Sequence, residues 1–163
     1  MNAPFSSTRW MLVGKASLFA LAIWCTSFAT ASDQFEHAEY YQAASSGQKK
    51  AGGSVKGTLS FNGDKNTVEF LDRHGNSAVS IKCESVKALL YEQASRPRYA
   101  EAVLISPLFL LSHSKKHYLT IQYTNDAGEG QFAIVQLDKR NAQAAVAATE
   151  AHTGKKVERI EEK

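Results

Sequence analysis

From Val55 to Leu137 the chain alternates mostly in twos. Val55, Gly57, Leu59 and Phe61 fall on one side of the first run, and Lys56, Thr58 and Ser60 on the other. That period marks a strand with one buried face. Asn62-Gly63-Asp64-Lys65-Asn66 predicts a hairpin turn, and Thr67 to Leu71 resumes with Val68 and Phe70 inward. Asp72-Arg73-His74-Gly75-Asn76 predicts a second tight turn, and Ser77 to Lys82 then puts Val79 and Ile81 inward. Ser85 to Tyr91, with Val86, Leu89, Leu90 and Tyr91, predicts a bend into another strand. Gln93 to Tyr99 is a loop holding Pro97. His117 to Tyr123 alternates again, with Leu119, Ile121 and Tyr123 inward. After a turn at Asn125-Asp126-Ala127-Gly128, the apolar run Phe132 to Leu137 predicts a central strand.

The period then changes. Asn141 to Thr153 is rich in alanine, and Ala142, Ala145, Val146 and Thr149 form one helical stripe. Asp138 is placed to cap its start, and Gly154 suits the left-handed residue that ends a helix. Lys155 and Lys156 lie near its negative end. Residues 155–163 are expected to be a charged, frayed tail. At the other end, 32–53 is expected to be a lead-in and linker. There Asp33 to Ala44 predicts a short helix with Phe35 and Tyr40 or Tyr41 on one side, and Ser45 to Ser54 has the composition of a linker. The expected domain spans 54–154. Its class is mainly β, a β-rich α+β arrangement of short antiparallel strands in a strongly bent sheet closed by one C-terminal helix.

The first 31 residues have a different character. Arg9 and Lys15 precede an apolar run from Ala16 to Phe28, and Ala29-Thr30-Ala31 gives the small-x-small spacing before charged Asp33. These are the three parts of a secretory signal peptide, with cleavage expected after Ala31. The competing readings are an uncleaved anchor, for which the run falls short of the ~20 residues that span a bilayer, and a lipoprotein acylated at Cys25, against which Trp24 argues. Export places the product in a periplasm or outside the cell. Cys25 would leave with the signal, so Cys83 would be alone and without an internal disulfide. It is expected to be a small buried core residue.

The chain's 163 residues make room for one domain. Its formal charge is +3, of which Arg9 and Lys15 account for two, so the remainder is near +1. A near-neutral domain exerts little long-range pull on phosphates, which speaks against nucleic-acid binding. There is no Gly-x-Ser-x-Gly elbow, no His-Glu-x-x-His and no phosphate-binding loop. No catalytic residue, metal ligand or cofactor is therefore assigned. His113 and His117 sit four apart, but in a loop running into a strand, beside two lysines and with no third ligand. His37 lies among glutamates in the lead-in, His74 in a turn and His152 near a helix end. Each has a sufficient structural role.

Ala102 to Leu111 stands out, since every residue except Ser106 and Pro107 is apolar. Ten residues are too few to span a bilayer as a helix. The segment is either buried against the sheet or exposed as a contact surface for a partner or for a membrane. In the exposed case Leu104, Ile105, Leu108 and Phe109 would make the contact. Lys115 and Lys116 just beyond would suit an anionic surface.

The runs Gly57 to Phe61, Val68 to Phe70, Val79 to Ile81, Val86 with Leu89 to Tyr91, His117 to Tyr123 and Phe132 to Leu137, with the helix after them, together resemble the pleckstrin-homology-like (PH/GRAM-like) split barrel. The likeness covers about 100 residues, Ser54 to Gly154, and also extends to small exported bacterial proteins of this pattern. It implies a non-enzymatic binding module for a protein, a peptide or a lipid headgroup. The family's phosphoinositide-binding hairpin would carry several basic residues, but here Asn62 to Asn66 has one lysine beside an aspartate, so no binding residue is carried over. The alternatives are a small enzyme with a dispersed site, or an envelope-associated structural protein held by its N-terminus.

Overall fold

The computed structural model describes residues 33–41, 53–100 and 114–161. The alternating runs form strands where the pattern places them: β2 (Ser54–Asn62), β3 (Thr67–Asp72), β4 (Ser77–Lys82), β5 (Val86–Ala94), β6 (Lys116–Thr124) and β7 (Gly130–Leu137). Two further strands lie in segments expected to be something else. Gln34–Tyr41 is not a lead-in helix. It is β1, and it pairs with β2 on one side and β7 on the other. Val157–Glu161 is not a frayed tail. It is β8, and it pairs in parallel with β5. The single sheet runs β4-β3-β2-β1-β7-β6-β5-β8, and every pairing except β5 with β8 is antiparallel.

The connection between β4 and β5 shows how far this sheet bends. The two strands are first and seventh in order. If the sheet were flat they would lie about 29 Å apart. Only one 3₁₀ turn, Cys83–Ser85, joins them, and the step from Lys82 to Val86 reaches at most about 14 Å. The sheet therefore curls until β4 comes round toward β5 and β6. It does not close, because among the described residues no ladder joins β4 to either. Lys82 Nζ instead bridges this seam to Asp126 Oδ1 in the β6–β7 turn, at 2.9 Å.

The helix α1 (Ala142–Thr153) lies in the concavity, touching β2, β5 and the Cys83–Ser85 turn. Its buried stripe is Ala142, Ala145, Val146 and Thr149, as the spacing predicts. Small side chains let the helix axis approach the sheet closely, against Leu59, Phe61, Val68, Phe70, Leu89, Leu119 and Ile121. Gly154 ends it in the left-handed region at φ 65°. Asp138 does not cap it. It lies three residues before the N-cap, Asn141, whose side chain makes no capping bond. The Asp138 carboxylate instead accepts from the Arg140 backbone N–H at 2.8 Å and pairs with its guanidinium at 3.1 Å. Cys83 is 3% exposed in the main core, and burial pushes its thiol pKa up, away from the reactive thiolate.

Candidate functional site

β1 carries an irregularity that shapes a recess beside it. Phe35 pairs with Leu59 and Ala38 with Gly57, so Glu36 and His37 together oppose Thr58. This bulge puts His37 at φ 59°, in the left-handed region where few residues other than glycine settle. Bulges bend a strand and re-aim its side chains, and they cluster beside functional sites. β1 also leaves β7 here. Among the described residues its ladder to β7 runs from Glu39 to Tyr41, and farther back Asn141 Nδ2 donates to the Glu36 carbonyl at 3.1 Å.

The result is an open cleft of about 650 Å³, lined by Glu36, His37, Glu39, Lys56, Arg73 and Gln136 among others. Its floor depends on Gly57. A Cβ there would overlap the Leu71 carbonyl, so any side chain would force β3 away from β2. The Asp72 carboxylate is occupied by the β3–β4 turn, where it accepts from the backbone N–H groups of His74 and Asn76, each at 2.8 Å. Those bonds hold its pKa below the usual value. Asp138, near His37, is held lower still, at about 2, chiefly by Arg140, with a smaller pull from His37. By contrast, Glu36, Glu39, Lys56 and Arg73 enter no salt bridge among the described residues. The cleft thus presents charges of both signs that the fold leaves for solvent or a ligand.

A second polar arrangement joins α1 and β8 to the sheet. Arg159 Nη1 donates to Gln143 Oε1 at 2.6 Å, and Gln143 Nε2 donates to the Tyr91 hydroxyl at 3.1 Å. That hydroxyl lies 2.6 Å from His117 Nδ1. The Arg159 guanidinium sits over the Tyr91 ring, 5.8 Å from its centroid, and the His117 ring stacks on it. This network fastens β8 where the sequence suggested only a tail.

Leu104, Ile105, Leu108 and Phe109 lie outside the described residues, as do His113 and the expected signal segment with Cys25. Lys115 is exposed just before β6. Lys116 is half-buried and paired with Ala94, and neither lysine lines the cleft. His117 is on β6, in the network with Tyr91. His152 stacks on Phe61 at 4.8 Å and meets Asp33 Oδ2 at 3.2 Å, a structural role. His74 is exposed in its turn. Sequence spacing did not point to the cleft. His37 was the one signal, but it sits in a stretch whose periodicity looked helical. Among the described residues no three His, Cys, Asp or Glu side chains are grouped to hold a metal ion, and no helix is long and apolar enough to cross a membrane. Neither a comparison with protein-family models nor one with the sequences of curated proteins yields a match for this chain.

Proposed function

We propose that this chain is an exported, non-enzymatic binding module of the PH-like split-barrel kind, with the cleft at the β1 bulge as its contact surface. One observation carries the reading. A strained, bulged strand fixed on the sheet holds Glu36, Glu39, Lys56 and Arg73 around one recess, with no salt bridge to any of them among the described residues. Strained residues persist where the surrounding structure over-determines them, often at ligand sites. Support for the split-barrel assignment comes from the curled seven-strand antiparallel order, the seam after β4 and the helix lying in the concavity. Support for export comes from the basic, apolar and small-x-small succession through Ala31.

The mixed charge suits a polar peptide or protein segment carrying both signs. A phosphate-rich partner fits poorly, because carboxylates share the wall with the cations. The test is amide chemical-shift mapping of the processed chain against pools of short zwitterionic peptides. Shifts confined to Glu36–Glu39 and Lys56–Thr58, and lost in a Lys56→Ala/Arg73→Ala variant, are the expected result. Pools that leave these amides unmoved contradict the assignment. Export is tested separately by the mass of the product recovered outside the cytoplasm, which should lack residues 1–31.

A further inference from the structure

An asparagine followed by glycine readily loses its side-chain amide, because no side chain shields the glycine nitrogen. Here the pair is Asn62-Gly63, where β2 runs into its hairpin turn. The groups that decide the reaction are the attacking Gly63 nitrogen, the Asn62 Oδ1 that takes up charge and the Asn62 Nδ2 that leaves. Asn62 Oδ1 accepts the Lys65 backbone N–H at 3.0 Å. Asn62 Nδ2 and the Gly63 N–H have no hydrogen-bond partner among the described residues. Gly63 to Asn66 are exposed, and a Cβ placed on Gly63 would meet nothing within 4 Å. The other described asparagines are placed differently. The Nδ2 groups of Asn76, Asn125 and Asn141 are held by Asp72 Oδ2, Glu129 Oε2 and the Glu36 carbonyl, each at 3.1 Å. Asn66 is followed by Thr67, whose branched, buried side chain crowds the approach.

We propose that Asn62 is a site of spontaneous covalent modification, converted in the folded protein to aspartate and isoaspartate. The turn must swing the Gly63 nitrogen toward Asn62 Cγ, and its exposure leaves room for that motion. The nitrogen gives its proton to solvent base and forms a bond to Cγ. The electron pair of the C=O moves onto Oδ1, where the Lys65 N–H already points, as a donor aimed at a developing oxyanion does. The pair returns as the Cγ–Nδ2 bond breaks, and Nδ2 takes a proton from solvent and leaves as ammonia. Water then opens the cyclic imide. Attack at Cγ gives aspartate, and attack at the backbone carbonyl gives isoaspartate, in which the chain continues through the side chain. The net change is amide plus water to carboxylate plus ammonium. Either product places a new negative charge two residues from Asp64. Isoaspartate also lengthens the backbone by a carbon between β2 and the turn. That turn is tied to the next corner of the sheet, since the Asn66 carbonyl accepts from the Cys83 N–H at 3.0 Å. The modification therefore acts on the β4–β5 connection as well as on its own hairpin. The inference stands independently of the cleft.

The test is peptide mapping by mass spectrometry of the folded protein during incubation in mildly alkaline buffer. Asn62 should convert before Asn66, Asn76, Asn125 or Asn141, as a mixture of the two products. Gly63→Ala, for which the turn has room, puts a β-carbon in the path of attack and should slow the conversion by about tenfold with an unchanged circular-dichroism spectrum. The order of conversion in the unsubstituted protein is read independently of that variant. Conversion of another of these asparagines ahead of Asn62, an undiminished rate in Gly63→Ala, or conversion of Asn62 only in the urea-unfolded chain would each overturn the proposal.

Discussion

On its concave side the sheet meets α1, and Ala145 and Val146 close against Leu59, Phe61, Leu119 and Ile121. On the other side it divides. Across β2, β3 and β4 that face carries Lys56, Thr58, Ser60, Glu69 and Ser80, whereas across β7, β6 and β5 it carries Ile134, Tyr118, Thr120 and Leu90. The sequence records the same division. β2 alternates throughout, and β3 and β4 for most of their length, the pattern of strands wetted on one face. β5 and β7 contain the unbroken runs Leu89-Leu90-Tyr91 and Ala133-Ile134-Val135, the pattern of strands covered on both. One helix cannot cover both sides of a sheet. A continuous apolar run is therefore the mark of a strand buried on both faces.

The largest expected effect probes the helix side. Phe61→Ala, at a fully buried site, should cost about 3–5 kcal/mol of unfolding free energy in urea, and Phe132→Ala, at the half-buried margin of the other face, about half of that. Next is the network that ties β8 to the sheet. Tyr91→Phe removes the hydroxyl that links Gln143 to His117 and should cost about 1–2 kcal/mol. Hydrogen exchange should then speed up in Val157–Ile160 before it does in β2 or β3.

High pH should expose both sides together. Burial, with a smaller contribution from Tyr123, raises the Tyr40 pKa to about 12 on the helix side. Burial also raises those of Tyr41 and Tyr118 on the other. Because the folded values lie above the unfolded one, the contribution of all three is complete below pH 10, and that of Tyr40 is lost as pH rises through about 12. The tyrosinate signals of these three, followed residue by residue through their ring resonances, should then appear in step with the loss of the circular-dichroism signal. An earlier rise from any one of them in the intact fold would mean that its face is wet. The smallest effect is a gain. The Thr120 hydroxyl is fully buried with no hydrogen-bond partner among the described residues, so Thr120→Val should raise stability by about 1 kcal/mol in the same urea assay.

β2, β6 and the stripe of α1 are legible because a period of two or of 3.6 runs through them, β3 and β4 because it runs through most of their length, and β5 and β7 because short apolar runs bounded by turns read as buried strands. β1 is not legible, for a specific reason. The extra residue in its bulge separates the inward residues Phe35 and Ala38 by three positions, which is helical spacing, and the period of two returns only at Tyr40. The cleft arises from that same extra residue, so one irregularity hides both the strand and the site. β8 is hidden differently. Its five residues, Val157-Glu158-Arg159-Ile160-Glu161, carry too little apolar area to signal a strand, and they are held by parallel pairing and the Arg159–Gln143 contact. Such pairing depends on the position of β5, which lies far away in sequence. Asp138 offered a capping side chain, but the chain needs three more residues to turn before the helix begins.

The division between a sheet half covered on one face and a half covered on both is tested most directly by two matched truncations. Ile121→Ala acts on the helix side and Ile134→Ala on the opposite face, and urea unfolding reads both. If both faces of β6 and β7 are dry, each variant loses about 2–5 kcal/mol and the two agree within about 1 kcal/mol. An Ile134→Ala chain that unfolds at the same urea concentration as the parent, while Ile121→Ala falls well below it, would contradict the account.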